Sequence, residues 1–258
     1  MTTSIPPGPT AEQAPVEVED LIGPAMPLRV GIVVPHDMAL DGEMWRWVPK
    51  GVTLHFTREA LVPLPVTVEM AMLIGDPTAI AQCVADLSTI EPSVIAYGCT
   101  SGSFANGILG ENSLRASMVT AGAAQAVTTS GAVLDAIHHL GAKRVSIATP
   151  YDEPMTELLD EFLNEADIDV VGKACLGLHE KIWTVGYART KRLIRQADRD
   201  EADAIVVSCT NLSTYDLIAP LERELGKPIV TANQATMWAA LSAVGRNAIG
   251  PGQALLDC

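Results

Sequence analysis

Short runs of aliphatic and β-branched residues alternate along this chain with longer stretches whose apolar positions recur every three to four residues. Residues 28–34 (LRVGIVV) and 52–57 (VTLHFT) read as strands, and a helix follows around 77–89. A strand at 93–98 (SVIAYG) runs into a helical segment from about Ser103, and 125–140 reads as a helix with Gly141 as its C-cap. The second half repeats the logic, with strands at 144–149, 168–176, 203–208 and 228–230 and helices at 153–166, 184–199, 213–225 and 234–244. Strands alternating with helices of roughly 10–15 residues imply βαβ units and parallel sheets.

The repetition extends to residue identity. Arg29-Val30-Gly31-Ile32-Val33-Val34-Pro35 matches Arg144-Val145-Ser146-Ile147-Ala148-Thr149-Pro150 as R-V-x-I-x-x-P. Ile95, Cys99, Thr100 and Ser103 match Ile205, Cys209, Thr210 and Ser213 as I-x-x-x-C-T-x-x-S. Two matches on nearly one diagonal make duplication the better reading. The predicted fold is therefore α/β, with two pseudo-symmetric Rossmann-like lobes built on parallel sheets and an active site in the cleft between them. Residues 27–141 with 231–258 are assigned to the N-terminal lobe and 142–230 to the C-terminal lobe. The Pro-, Glu- and Thr-rich residues 1–26 are read as a disordered or loosely attached tail.

Composition narrows the partners. The 258 residues are 48% hydrophobic but only 4% aromatic, which suits buried parallel strands under Ala/Leu-rich helices. A net charge of −14 argues against nucleic acid and anionic membranes as partners. No apolar run approaches the ~20 residues that span a bilayer, and the N-terminus has no secretory pattern. These features point to the cytoplasm, and a homodimer is the prior for assembly.

Five cysteines, an odd number at wide spacing, form neither a zinc pattern nor a disulfide framework, and no metal is expected. Cys83, Cys175 and Cys258 lack the C-T-x-x-S context and read as structural. Cys99 and Cys209 each end an inner strand, where open α/β sheets bind ligands. A helix N-terminus there would stabilise a thiolate and lower the thiol pKa from its usual ~8.5. Two thiols across one cleft suit two-base racemisation or thiolate addition to an activated double bond. A two-lobed ligand-binding protein without catalysis is the alternative, and it leaves the paired thiols unexplained. Around them, His36 and Asp37 sit at a strand end facing the cleft, and Asn211 follows Cys209-Thr210 with an amide suited to a carboxylate. Asp41, Glu43 and Arg46 read as a solvated face, Trp45 and Trp47 as packing, and His138 and His139 as structural. Asn233 reads as a helix cap.

AYGCTSGS and VVSCTNLSTYD at this spacing resemble the aspartate/glutamate racemase superfamily. Within it they are similar to the branch of maleate cis–trans isomerases, arylmalonate decarboxylases and ectoine-utilisation proteins. The resemblance covers roughly residues 27–250. It implies no cofactor and a small carboxylate substrate between the lobes. It also implies Cys209 as nucleophile with Cys99 opposite, and Tyr151 as a hydrogen-bond donor to a substrate carboxylate; Pro35, His36, Asp37, Thr100, Ser101, Thr210 and Asn211 are the further residues expected around the substrate. Arylmalonate decarboxylases keep only the second cysteine, so Cys99 argues for isomerase chemistry. Two amides of the isomerase pattern are missing, at Pro35-His36-Asp37-Met38-Ala39 and at residues 178–183, whereas LDGEMWRWVPKGV resembles the ectoine-utilisation proteins and a racemase role.

Overall fold

A computed structural model describes residues 26–257; the predicted tail, apart from Met26, and Cys258 lie outside the described residues. Strands β1 (Leu28–Val34), β2 (Val52–Arg58), β3 (Val94–Tyr97) and β4 (Ala126–Thr128) form one parallel sheet in the order β2-β1-β3-β4. Strands β5 (Arg144–Thr149), β6 (Asp169–Cys175), β7 (Ala204–Val207) and β8 (Ile229–Thr231) form a second, in the order β6-β5-β7-β8. The inner strands β3 and β7 are buried along their whole length, which is why they read as unbroken apolar runs.

The duplication is visible in the backbone. Gly98 N–H donates to Val33 O (2.7 Å), and Ser208 N–H donates to Ala148 O (3.0 Å). Glu59 N–H donates to Val34 O (3.0 Å), and Leu176 N–H donates to Thr149 O (3.1 Å). Equivalent bonds fix equivalent positions, so Tyr97 answers to Val207, Cys99 to Cys209 and Glu59 to Leu176.

In the first half the helices are α1 (Asp41–Met44), α2 (Val68–Ile74), α3 (Pro77–Ser88), α4 (Thr100–Phe104), α5 (Gly107–Thr120) and α6 (Thr129–His139). In the second they are α7 (Glu153–Glu165), α8 (Tyr187–Ala197), α9 (Tyr215–Leu225), α10 (Ala232–Ala243) and α11 (Ala254–Asp257). Local chemistry starts them: Asp76 caps Thr78 N–H with Pro77 in the first turn of α3, and Asp152 caps Met155 N–H with Pro154 in the first turn of α7. Although α10 follows a strand of the second sheet, it packs on α6, β3 and β4 of the first. Thr129 and Thr236 share a hydrogen bond (2.8 Å) across that seam.

The structure corrects the sequence reading in several places. β4 lies inside the stretch read as one helix over 125–140, because three residues are too few to show alternation; Thr128 caps Gly131 N–H (3.0 Å) and starts α6 there. The predicted cap Gly141 does take the left-handed conformation, at φ 67°. The helical segment starts at Thr100, not Ser103, and is broken at Gly107 (φ 67°) into α4 and α5. The helix read over 184–199 begins only at Tyr187, after a 3-10 turn at Ile182–Thr184, and ends at Ala197. The helix read from 213 begins at Tyr215, and α2 went unread.

Candidate active site

The two CT segments meet where the sheets' carboxyl ends converge. Cys99 is extended (φ −141°) and caps α4, its Sγ accepting from Gly102 N–H (3.3 Å). Cys209 is different. It adopts φ 90°, a left-handed conformation that favours glycine, and is followed by a turn rather than a helix. Such strain persists only where the surroundings hold it, at about 1–3 kcal/mol, and it concentrates at functional sites. Here the surroundings are visible. Cys209 N–H donates to Thr100 Oγ1 (3.3 Å), and Thr210 Oγ1 donates to Gly98 O (3.1 Å). The two equivalent threonines thus clasp the opposite lobe. Asn233 Nδ2 supports the turn from behind, within reach of Thr210 O (2.9 Å) and Glu43 Oε2 (2.7 Å).

Between the segments lies a small cavity of ≈ 30 Å³. Pro35, Asp37, Ser101, Tyr151, Cys209, Thr210 and Asn211 line it, under an apolar roof of Val66, Met70, Ile74 and Ile182. Asp37 is the one charged side chain among these lining residues. A wider outer cleft, lined by His36, His179, Lys181 and Trp183, shares Asp37, Val66 and Met70 with it. Val66 N–H donates to His179 O (2.7 Å), joining a loop of each lobe above the cavity.

The predicted residues therefore separate into two groups. Pro35, Asp37, Ser101, Tyr151, Cys209, Thr210 and Asn211 reach the cavity. Cys99, only 3% exposed, lies behind its wall with Sγ 3.8 Å from Ser101 Oγ, and Thr100 supports Cys209 from the same layer. His36 faces the outer cleft. Asn211 lines the cavity, but its amide is engaged, accepting from Ala39 N–H (3.0 Å) and donating to Asp37 O (3.0 Å).

The expected lowering of the thiol pKa values is reversed. Burial pushes Cys209 up to about 12, with the Tyr151 hydroxyl and Asn211 N–H pulling the other way and Asp37 adding to the rise. Burial and Glu59 push Cys99 up to about 12 against the opposing Gly102 N–H, Tyr97 and Ser101. The physical reason is that α4 has only five residues and α9 starts six positions after Cys209, so dipole assistance is weak and desolvation wins. Both sulfurs rest as thiols at neutral pH. Among the described residues, no group of three or more His, Cys, Asp or Glu is placed to hold a metal ion, and no helix is long and apolar enough to cross a membrane.

Sequence reasoning missed Glu59, Tyr97 and the role of Glu43. Glu43 was read as part of a solvated face, yet it is buried and accepts from Thr214 N–H (2.6 Å) and Tyr215 N–H (2.8 Å). Glu59 is 5% exposed, with the Tyr97 hydroxyl 3.3 Å from its Oε2. The signal in the sequence was a lone acid closing a strand whose counterpart, Leu176, is apolar.

Fold and site together define a two-lobed α/β enzyme with a cysteine at the equivalent strand end of each lobe. The arylmalonate decarboxylase family model matches residues 76–256. A maleate isomerase of Pseudomonas putida is 30% identical over 184 residues, 68% of this chain and 73% of that protein. The arylmalonate decarboxylase of Bordetella bronchiseptica is 33% identical over 60% of this chain and 67% of its own length. The crystal structure of an arylmalonate decarboxylase variant, liganded and carrying one Gly-to-Cys and one Cys-to-Ser change, superposes with a TM-score of 0.82 at 28% identity, covering 89% of this chain and 98% of that one. The chain belongs to the arylmalonate decarboxylase family, which embraces the maleate isomerases it matches.

Proposed function

We propose that the protein is a cofactor-independent isomerase of the racemase type, acting on a small amino-acid-derived carboxylate through Cys209 and Cys99. The observation that carries this reading is the clasp that sets two equivalent cysteines at one cavity, Cys209 on its wall and Cys99 just behind Ser101. In this reading a thiolate at Cys209 takes the α-proton on one face, and Cys99 returns a proton to the other through its thiol. In the reverse direction the roles exchange. Negative charge developing on the substrate carboxylate is met by the hydroxyls of Tyr151 and Ser101.

Asp37 favours an amino-acid derivative over a dicarboxylate. A second carboxylate would lie beside Asp37 with no basic side chain among the lining residues to offset it. An ammonium or amide N–H would instead be met by it. That agrees with the resemblance to ectoine-utilisation proteins. The relatives named maleate isomerase support the isomerase class, and retention of Cys99 supports isomerisation over decarboxylation. Pro35 shapes the cavity, and His36 and the outer cleft provide the entrance. Assembly as a dimer and a cytoplasmic setting complete the proposal.

Turnover assays on aspartate, acetylated diaminobutyrate, maleate and an arylmalonate test it. Inversion of an amino-acid derivative, lost in both Cys99→Ala and Cys209→Ala, is expected. Decarboxylation of the arylmalonate, or faster turnover of maleate than of either amino acid, would overturn the substrate assignment.

A further inference from the structure

Behind Cys99, on the side away from the cavity, three side chains form a buried chain with no counterpart in the second lobe. Tyr97, fully buried on β3, contacts the Cys99 sulfur through its hydroxyl. That hydroxyl is also 2.5 Å from Ile74 O and 3.3 Å from Glu59 Oε2. Gly102 is what makes the convergence possible, since a Cβ there would collide with Tyr97 Oη and crowd Cys99 Sγ. Glu59 closes the chain. Its Oε1 is buried without any hydrogen-bond partner. At the equivalent positions the second lobe carries Val207 and Leu176.

Proton counting decides the state of this chain. A phenol has one proton, and a carbonyl can only accept, so the short contact to Ile74 O takes that proton in the resting protein. The remaining contact, between Tyr97 Oη and Glu59 Oε2, is then a hydrogen bond only if the carboxyl supplies the proton. The titratable groups around Glu59 are Tyr97 on β3, Cys99 at its end and Cys83 on α3. Arg58, the adjacent residue, turns away to Asp41 (2.7 Å) and Met38 O (3.1 Å). A buried carboxyl with one empty oxygen and no cation is neutral.

We propose that Glu59 is a positioning residue for Cys99: as a neutral acid it donates to Tyr97 Oη, which frees the phenol proton to swing from Ile74 O to the Cys99 sulfur when that sulfur becomes a thiolate. No proton leaves the chain in this rearrangement; one hydrogen bond is exchanged for another. The inference rests on the reading of Cys99 as the second acid–base group of the site. Burial holds the Glu59 carboxyl up to about 8. Above that pH the carboxylate draws the phenol proton to itself and repels a thiolate at Cys99.

Two measurements on the intact protein test this without turnover, so they succeed or fail separately from the substrate assignment. Infrared difference spectra between native protein and Glu59→Gln should show a protonated carboxyl band at neutral pH that bleaches with a midpoint near pH 8. A midpoint in the ordinary carboxylate range, or no band, overturns the proposal. Methyl methanethiosulfonate labelling, resolved by mass spectrometry, should find Cys99 about tenfold faster in Glu59→Gln than in native protein at about pH 9, with no such gain at about pH 6.5 and none at Cys209. Equal gains at both pH values, or at both cysteines, contradict it. Should Glu59→Gln not fold, Tyr97→Phe serves: the carboxyl band must shift when its acceptor is removed, and an unmoved band overturns the assignment.

Discussion

Cys99 and Cys209 stand at equivalent strand ends, yet their backbones and surroundings differ. Cys99 is relaxed, caps a short helix and is backed by Tyr97 and Glu59. Cys209 is held at φ 90° by contacts from the other lobe and opens onto the cavity beside Tyr151. Duplication supplied two similar sulfurs, both raised to about 12 by burial, and divergence around them gives each different neighbours and different access to the cavity. The comparison teaches that the pseudo-two-fold axis places the groups, whereas departures from it assign their tasks.

Substitutions at the two sulfurs should break the comparison hardest. Cys209→Ala is expected to lower turnover on the order of 10²–10⁴-fold or more, with a native far-ultraviolet spectrum, because it removes the group lining the cavity. Tyr151→Phe should cost about 10–100-fold in kcat/KM while leaving Tm within a few degrees, since its hydroxyl faces the cavity and Cys209 but caps no helix. Asp37→Asn sharpens the substrate side: KM for an amino-acid derivative should rise by about tenfold, corresponding to one charged hydrogen bond, with kcat less affected.

The scaffold offers a subtler test. Asn233→Ala removes the Asn233 donor from Thr210 O and from Oε2 of the buried Glu43 and should destabilise the fold by ~2 kcal/mol in denaturant titrations. Its counterpart position in the first lobe, Ser130, should matter less, because Ser103 already shares its contacts with Thr100 O. A last test lies in the pH dependence. Glu59 has a folded-state pKa raised to about 8, so the native state binds a proton that the unfolded chain releases above its ordinary carboxyl range. The contribution of Glu59 to stability is therefore fully present below that ordinary range and declines until pH passes about 8. Glu59→Gln should flatten this decline, visible as a Tm difference of a few degrees across the window. An unchanged slope would place the raised carboxyl elsewhere.

Much of this was legible in the chain. The R-V-x-I-x-x-P and C-T-x-x-S pairs announced the duplication, and strand and helix periodicities located most elements, because doubly buried strands cannot be other than apolar. β4 escaped because three residues carry no period. The left-handed Cys209 was unreadable, since its conformation is set by Thr100, more than a hundred residues away. The helix-dipole expectation failed for a related reason: sequence shows where a helix starts but not how deeply the thiol beside it is buried. Glu59 and Tyr97 were invisible as a pair because only the folded sheet brings β2 and β3 residues to the same sulfur.

If the two cysteines serve opposite faces of one substrate, proton exchange in D2O will distinguish them. Each enantiomer of whichever amino-acid derivative is turned over would be incubated with native protein, Cys99→Ala and Cys209→Ala, followed by NMR. Deuterium at Cα with inversion is expected for the native protein. Exchange of one enantiomer without inversion is expected for Cys99→Ala, and of the other for Cys209→Ala, if each cysteine serves its own face. Inversion at the native rate in either variant would contradict it.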